Sequence, residues 1–195
     1  MPMISLESMN IDNITLSTDM SQLKSGLKTA FMKYDGNTIM VQTPQMYMPF
    51  KPDLSEEGDR HTLCLNCTND GIFKNKLKSI DSFITSKAHE NCRTWFKRAT
   101  ISEDFIEVNY TRMIRNGGEY SDKFKFKTDS KTKFFNADKE PIAITDLVEK
   151  TTIRAIVELR YLWFNNGKFG ATWVAKQVQC MTKAEAEEEL VFVDE

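Results

Sequence analysis

The sequence predicts a mainly β fold with a helical insertion, arranged as a small barrel or sandwich. Three observations carry this expectation. Two tight-turn pairs, Asp35-Gly36 and Asn166-Gly167, each sit between runs rich in apolar and β-branched residues, the signature of a hairpin. The segment TTIRAIVELRYLWF alternates along its length, as a half-buried strand does. Between these, from about residue 75 to 98, apolar residues return every three or four positions, which is the period of a helix. Short strands around one interposed helix suggest a two-layer β architecture closed on itself or packed face to face.

In chain order, residues 1–24 are polar and weakly patterned and read as an N-terminal arm or a first strand. LKTAFMKYDGNTIMVQTP then forms the first hairpin, and Pro44, Pro49 and Pro52 interrupt regular structure over a long loop. HTLCLNCT is the next strand. On the helix, Leu77, Ile80, Ile84, Ala88, Cys92 and Trp95 share a face, with Lys76, Lys87, Arg93 and Lys97 turned mostly elsewhere. SEDFIEVNY fits two states: Ser102 suits a helix cap, while Phe105, Ile106, Val108 and Tyr110 suit a strand. FKFK and TKFFN are short aromatic-lysine strands, and in FKFK the strand period sends the phenylalanines to one face and the lysines to the other. In the last hairpin, Ile153, Ala155, Val157, Leu159, Tyr161 and Trp163 should share one face and Arg154, Glu158, Arg160 and Phe164 the other. Residues 25–181 thus form one domain, followed by a tail over 182–195.

Composition narrows the function. Among 195 residues, 41% are hydrophobic and 28% charged, ordinary for a globular domain. The start lacks the basic and apolar regions of a signal peptide, no segment approaches the length of a membrane span, and a membrane partner is not expected. Four cysteines without a secretion signal read as reduced thiols. Phosphate-loop, dinucleotide-fingerprint, HExxH and GxSxG motifs are all missing, and neither histidine has an evident catalytic partner. A non-enzymatic role is therefore expected. His61, Cys64 and Cys67, with His89 and Cys92, supply five potential zinc ligands in two clusters, and a structural zinc needs four in a tetrahedron. The competing reading places Cys64 and Cys67 on opposite faces of a strand and Cys92 on the apolar helix face. No cofactor is expected on that reading, with zinc as the alternative.

Charge is unevenly divided. The chain carries a net −2, yet its last 13 residues hold one lysine against Glu185, Glu187, Glu188, Glu189, Asp194 and Glu195, and the rest holds 25 Lys/Arg against 22 Asp/Glu. Residues 72–135 are the basic centre, with 14 Lys/Arg against eight acids, Lys123, Lys125, Lys127, Lys131 and Lys133 among them, interleaved with aromatic residues. Single-strand binders combine cations for the phosphates with flat rings for the bases. The competing reading makes the rings core and the lysines a solvated face.

The stretch IRAIVELRYLWFNNGKFGATWVAKQVQ resembles the final hairpin of the OB-fold single-stranded-DNA-binding proteins of short-tailed phages and, more closely, their relatives in the nucleocytoplasmic large DNA viruses. Ahead of it, VQTPQMYMPF, TWFKR and FKFK stand in the order that the likeness requires, which covers most of residues 25–181. The resemblance implies an OB-fold-like small barrel, no catalytic residues, and single-stranded DNA as partner. Its motifs match at Trp163, Phe164, Lys168, Phe169 and Trp173, and at Lys123, Lys125 and Lys127. It implies a role in viral DNA replication, recombination or repair at the replication site of an infected cell, in cytoplasm or nucleus. Polymerase or helicase-primase would be partners, and a homodimer would form through the tail. Glu187, Glu188, Glu189, Phe192, Asp194 and Glu195 would act as a DNA mimic and partner handle, although Phe192 lies three residues before the terminus where the phage tails end in their aromatic. The alternatives are a virion or minor capsid-associated structural protein, packaged in the virion, and a zinc-stabilised regulatory module. A solvated C-terminal helix capped by Thr182 is the plainer reading of the tail.

Overall fold

Residues 3–17, 19–54, 60–117 and 120–181 are described by the computed structural model of this chain. The two turn pairs behave as their chemistry requires: φ is 47° and 76° at Asp35 and Gly36, and 48° and 81° at Asn166 and Gly167. Two consecutive positive values define the type I′ turn, whose twist matches that of the flanking strands.

The N-terminal part supplies β1 (Ile14–Leu16), β2 (Ser21–Gln22), β3 (Lys28–Ala30), β4 (Met32–Tyr34), β5 (Asn37–Thr38), β6 (Met40–Gln42) and β7 (Met46–Met48). Leu6, Met9 and Ile14 are buried, so the described part of residues 1–24 packs on the domain and contributes β1 and β2. After β8 (Thr62–Asn66) come the helices α1 (Gly71–Glu90), α2 (Cys92–Phe96) and α3 (Glu103–Asn109). Then follow β9 (Tyr110–Thr111), β10 (Ile114–Gly117), β11 (Tyr120–Lys127), β12 (Lys133–Phe135), β13 (Pro141–Ile142), β14 (Thr151–Asn165) and β15 (Lys168–Cys180). None of the described helices is long and apolar enough to cross a membrane.

Five of these strands close a ring. β7 pairs with β8, β8 with β11, β11 with β15, β15 with β14, and β14 back to β7. The β11–β15 contact is parallel and the others antiparallel. The fold is therefore mainly β, an OB-like five-stranded barrel, with the helices inserted between its second and third strands. Closure pairs each of these five strands on both sides, and the remaining edges fall to short flanking strands such as β2 and β13. Inside lie Leu63 and Leu65 of β8, Phe124 and Phe126 of β11, Ile153, Ala155 and Val157 of β14, and Ala175 and Val178 of β15.

The helical insertion follows its local signals. The Asp70 side chain accepts a 2.7 Å hydrogen bond from the Phe73 amide and caps α1, whose Phe73, Leu77, Ile80, Ile84 and Ala88 are buried. The helix expected over 75–98 starts earlier and breaks at Asn91, with Lys97 closing α2 in the left-handed region. Of the two states open to SEDFIEVNY, the helix is the one observed: Ser102 accepts from the Phe105 amide at 3.2 Å, and the strand begins only at Tyr110.

The expected faces of the long strand hold only for its first half. Ile153, Ala155, Val157 and Leu159 are buried, and then burial passes to Leu162 and Phe164. The register explains the change. β15 carries one additional residue, Lys176, between the Ile156 and Val157 pairs, and β14 carries one additional residue, Arg160, between Leu159 and Tyr161. A β-bulge moves every later side chain to the other face. Trp163 therefore leaves the core face and Phe164 enters it, the reverse of the expected alternation. Both bulged residues are cations held by carboxylates: Arg160 reaches Asp129 at 2.8 Å and Glu158 at 3.4 Å, and Lys176 pairs with Glu158.

Candidate nucleic-acid interface

Because side chains alternate along a strand, the residues that fill the barrel dictate what its outside presents. With Phe124 and Phe126 inside, β11 turns Lys123, Lys125 and Lys127 outward, and with Leu63 and Leu65 inside, β8 turns out Thr62, Cys64 and Asn66. The register sets Lys123 opposite Asn66, Lys125 opposite Cys64 and Lys127 opposite Thr62. On one side β10 places Arg115 opposite Lys123, and on the other β7 places Tyr47 opposite Asn66. One row thus runs Arg115, Lys123, Asn66, Tyr47 across four strands, a span of about 14 Å at the usual strand spacing.

Two rings stand open on this face. Tyr47 is 40% exposed between the buried Met46 and Met48, and Phe50, 53% exposed, follows on the next loop. The Lys123 ammonium lies 4.9 Å from the Phe50 ring centroid, within cation–π range. The electrostatics are concentrated as well. Burial pushes the Cys64 thiol above its ordinary value, and Lys125, Lys123 and Arg115 act against that rise. Three positive charges therefore converge on one small outward-facing thiol.

The other expected contacts are distributed differently. Lys131 lies exposed in the turn after β11 and Lys133 exposed on β12, beyond β15 from the β11 lysines. Lys168 is exposed at the tip of the last hairpin. Phe164, Phe169 and Trp173 are 6%, 0% and 3% exposed, so they are core residues and do not offer a face to a base. Phe164 and Phe169 lie parallel at 6.0 Å, with Trp95 4.9 Å from Phe164, while Trp173 meets Phe124 edge-on at 6.0 Å. Trp163 is half-buried on the outside of the hairpin, against Gly170.

The five residues considered for zinc are not brought together. Cys64 faces outward, whereas the buried Cys67 donates to the Asp122 carbonyl at 3.4 Å. Burial, reinforced by Asp122, pushes the Cys67 thiol up to about 11. Cys92 donates to the Ala99 carbonyl at 3.2 Å, His89 lies 3.1 Å from Glu103, and the His61 amide bonds Thr128 at the start of β8. Among the described residues no group of three or more His, Cys, Asp or Glu side chains is placed to hold a metal ion. The tail residues Glu187, Glu188, Glu189, Phe192, Asp194 and Glu195 lie outside the described residues. Sequence reasoning did not single out Arg115, Asn66, Tyr47 or Phe50. The alternation in QMYM marks Tyr47 as outward, but only the strand order shows what it stands beside.

A family model described as a family of unknown function, DUF5871, matches residues 56–194. No curated protein matches the chain. Among solved structures, the chain is similar to the single-stranded DNA-binding protein from bacteriophage Enc34, at 11% identity and a TM-score of 0.48 over 90% of this chain and 96% of that one. The same phage protein in complex with ssDNA gives 12% identity and a TM-score of 0.44, over 86% and 96% of the two chains. A third neighbour is gp2.5, a single-stranded DNA binding protein encoded by bacteriophage T7, at 11% identity and a TM-score of 0.47 over 80% of this chain and 98% of that chain.

Proposed function

This chain belongs to the DUF5871 family of unknown function, and for it we propose a non-enzymatic role in coating single-stranded DNA during viral replication, recombination or repair. The observation that carries the reading is the outer row of the barrel, where Arg115, Lys123 and Asn66 lead to the open Tyr47 ring, with Lys125 and Phe50 beside them. Cations track a phosphate backbone, and exposed rings stack on unpaired bases whatever their identity. A duplex hides its base faces, so the same row favours single strands. The β8 and β11 outer face is also the face on which OB folds take oligonucleotides.

The viral setting, at the replication site of an infected cell, rests on the sequence resemblance of the last hairpin, as do replication proteins as partners. In this reading the acidic tail competes with DNA for the cationic row and recruits partners once displaced, and it links two copies as a dimer. No metal or other cofactor takes part.

Of the tryptophans, Trp95 and Trp173 are buried and Trp163 is half-buried, so the binding measurement uses labelled oligonucleotides. Fluorescence anisotropy of the full chain with single- and double-stranded DNA should give saturable, salt-sensitive binding that prefers the single strand. Failure to saturate at low salt, or an equal affinity for duplex, would sink the proposal.

A further inference from the structure

Two arginines lie on the outer side of β14, and their surroundings differ. Arg160 is neutralised by Asp129 and Glu158. Arg154 instead donates through Nε and Nη2 to the neutral Gln179 Oε1, at 3.0 and 2.8 Å. The Gln179 amide nitrogen is itself anchored on the Asn136 and Ala137 carbonyls, both at 3.3 Å. The glutamine therefore orients the guanidinium without balancing its charge, which leaves Nη1 for a ligand. Arg154 opens into a cleft of about 320 Å³ that Lys139, Gln42, Gln177 and Phe135 also line. Among the described residues no carboxylate lines this cleft, and neither Arg154 nor Lys139 has a carboxylate partner.

The lining has the parts a nucleotide needs. Two unbalanced cations call for an anion, and the planar guanidinium fits a phosphate. Phe135 offers a ring for a base to pack on, and the exposed amides of Gln42 and Gln177 carry both donors and acceptors suited to a base edge. The volume lies at the small end of ligand pockets and suits one nucleotide rather than a protein segment. The cleft also continues the row described above. Tyr47 pairs with Thr152, and Arg154 follows Thr152 by two residues, hence on the same side of the strand.

We propose that this cleft binds one nucleotide unit, its phosphate on Arg154 and Lys139, its base against Phe135 and its edge toward Gln42 and Gln177. The inference deepens the strand-binding reading and rests on it for the polymer to which the unit belongs. The test uses the ¹⁵N-labelled full chain titrated with thymidine 5′-monophosphate, with thymidine and inorganic phosphate as separate arms. Saturable shifts of the Arg154 Nε–H and Gln177 amide signals are expected, at concentrations several-fold lower than in either arm. Arg154→Gln should weaken nucleotide binding about tenfold or more, with an unchanged melting temperature, and Arg154→Lys should restore part of it. Cleft signals that stay still, or that respond equally to inorganic phosphate, would overturn the proposal. A responding cleft in a protein that binds no oligonucleotide would support the site and sink strand coating. Oligonucleotide binding with a silent cleft would sink the site alone.

Discussion

Tyr47 and Phe50 differ from the core aromatic residues of the last hairpin in what lies over them. Their rings are open, at 40% and 53% exposure, whereas Phe164, Phe169 and Trp173 are sealed in the core. Replacing either open ring by alanine should weaken single-strand binding by about 1–3 kcal/mol in anisotropy titrations, with little change in melting temperature. Lys125→Ala should act through charge instead, reducing the slope of log affinity against log salt by about 0.7. Gly170 tests the packing behind the hairpin. A Cβ there would stand 3.0 Å from Thr111 Cβ and Trp163 Cζ2 and 3.1 Å from the Thr111 carbonyl, because β9 pairs with β15 at this point. Gly170→Ala should cost about 1–3 kcal/mol in chemical denaturation and alter the near-UV dichroism of Trp163. The β11 lysines were legible in the sequence because FKFK encodes its own alternation. Tyr47 and Arg115 were not, since their place in the row depends on which strands become neighbours.

At the scale of elements, the two hairpin turns and the Ser102 cap of α3 were readable because each is decided by a few adjacent residues, whereas the Asp70 cap of α1 was missed because the apolar period becomes regular only from Leu77. The β14 faces were readable only up to Leu159, since a bulge is settled jointly with the partner strand and leaves no local mark in RYLWF. The junction of α1 with the sheet shows another such long-range device. Asp81, buried at 2% exposure, accepts from the Tyr110 hydroxyl at 2.5 Å and from the Met113 amide at 3.2 and 3.3 Å. Burial raises its carboxyl from 3.8 to about 6, against the pull of those hydrogen bonds. Below pH 3.8 the carboxyl is protonated in both folded and unfolded chains, and above about 6 it is ionised in both. In between, the folded state holds the proton more tightly, so stability falls as pH rises through this window. The loss is about 3 kcal/mol, complete above pH 6. Urea denaturation at pH 4, 5 and 7 should show that decline in the native chain relative to Asp81→Asn, in which the aspartate contribution is gone. Parallel pH profiles for the two proteins would refute this account of the junction.

At the scale of the whole molecule, the uneven charge can be set against the point where the described residues end. Met181 is the last described residue; its amide donates to the Thr152 carbonyl at 2.7 Å, and Thr152 pairs with Tyr47. The six acids of residues 183–195 follow Met181 in the chain, and the row that carries Lys123 and Arg115 ends on the same Tyr47–Thr152 pair. Thirteen residues span at most about 45 Å when fully extended, well beyond the roughly 14 Å width of the row, so covalent reach does not oppose the proposed competition. An anionic segment held at such range acts at high effective concentration, and salt screens its attraction over about 10 Å at 0.1 M. Truncation after Thr182 should therefore tighten single-strand binding most at low salt, with the two affinity curves converging as salt rises. The DNA-mimic reading also requires order dependence: adding the isolated 183–195 peptide in trans should weaken binding by the truncated protein at millimolar concentration and spare the Lys125→Glu variant. Equal affinities for full and truncated chains across the salt range would leave the tail without a role at this face.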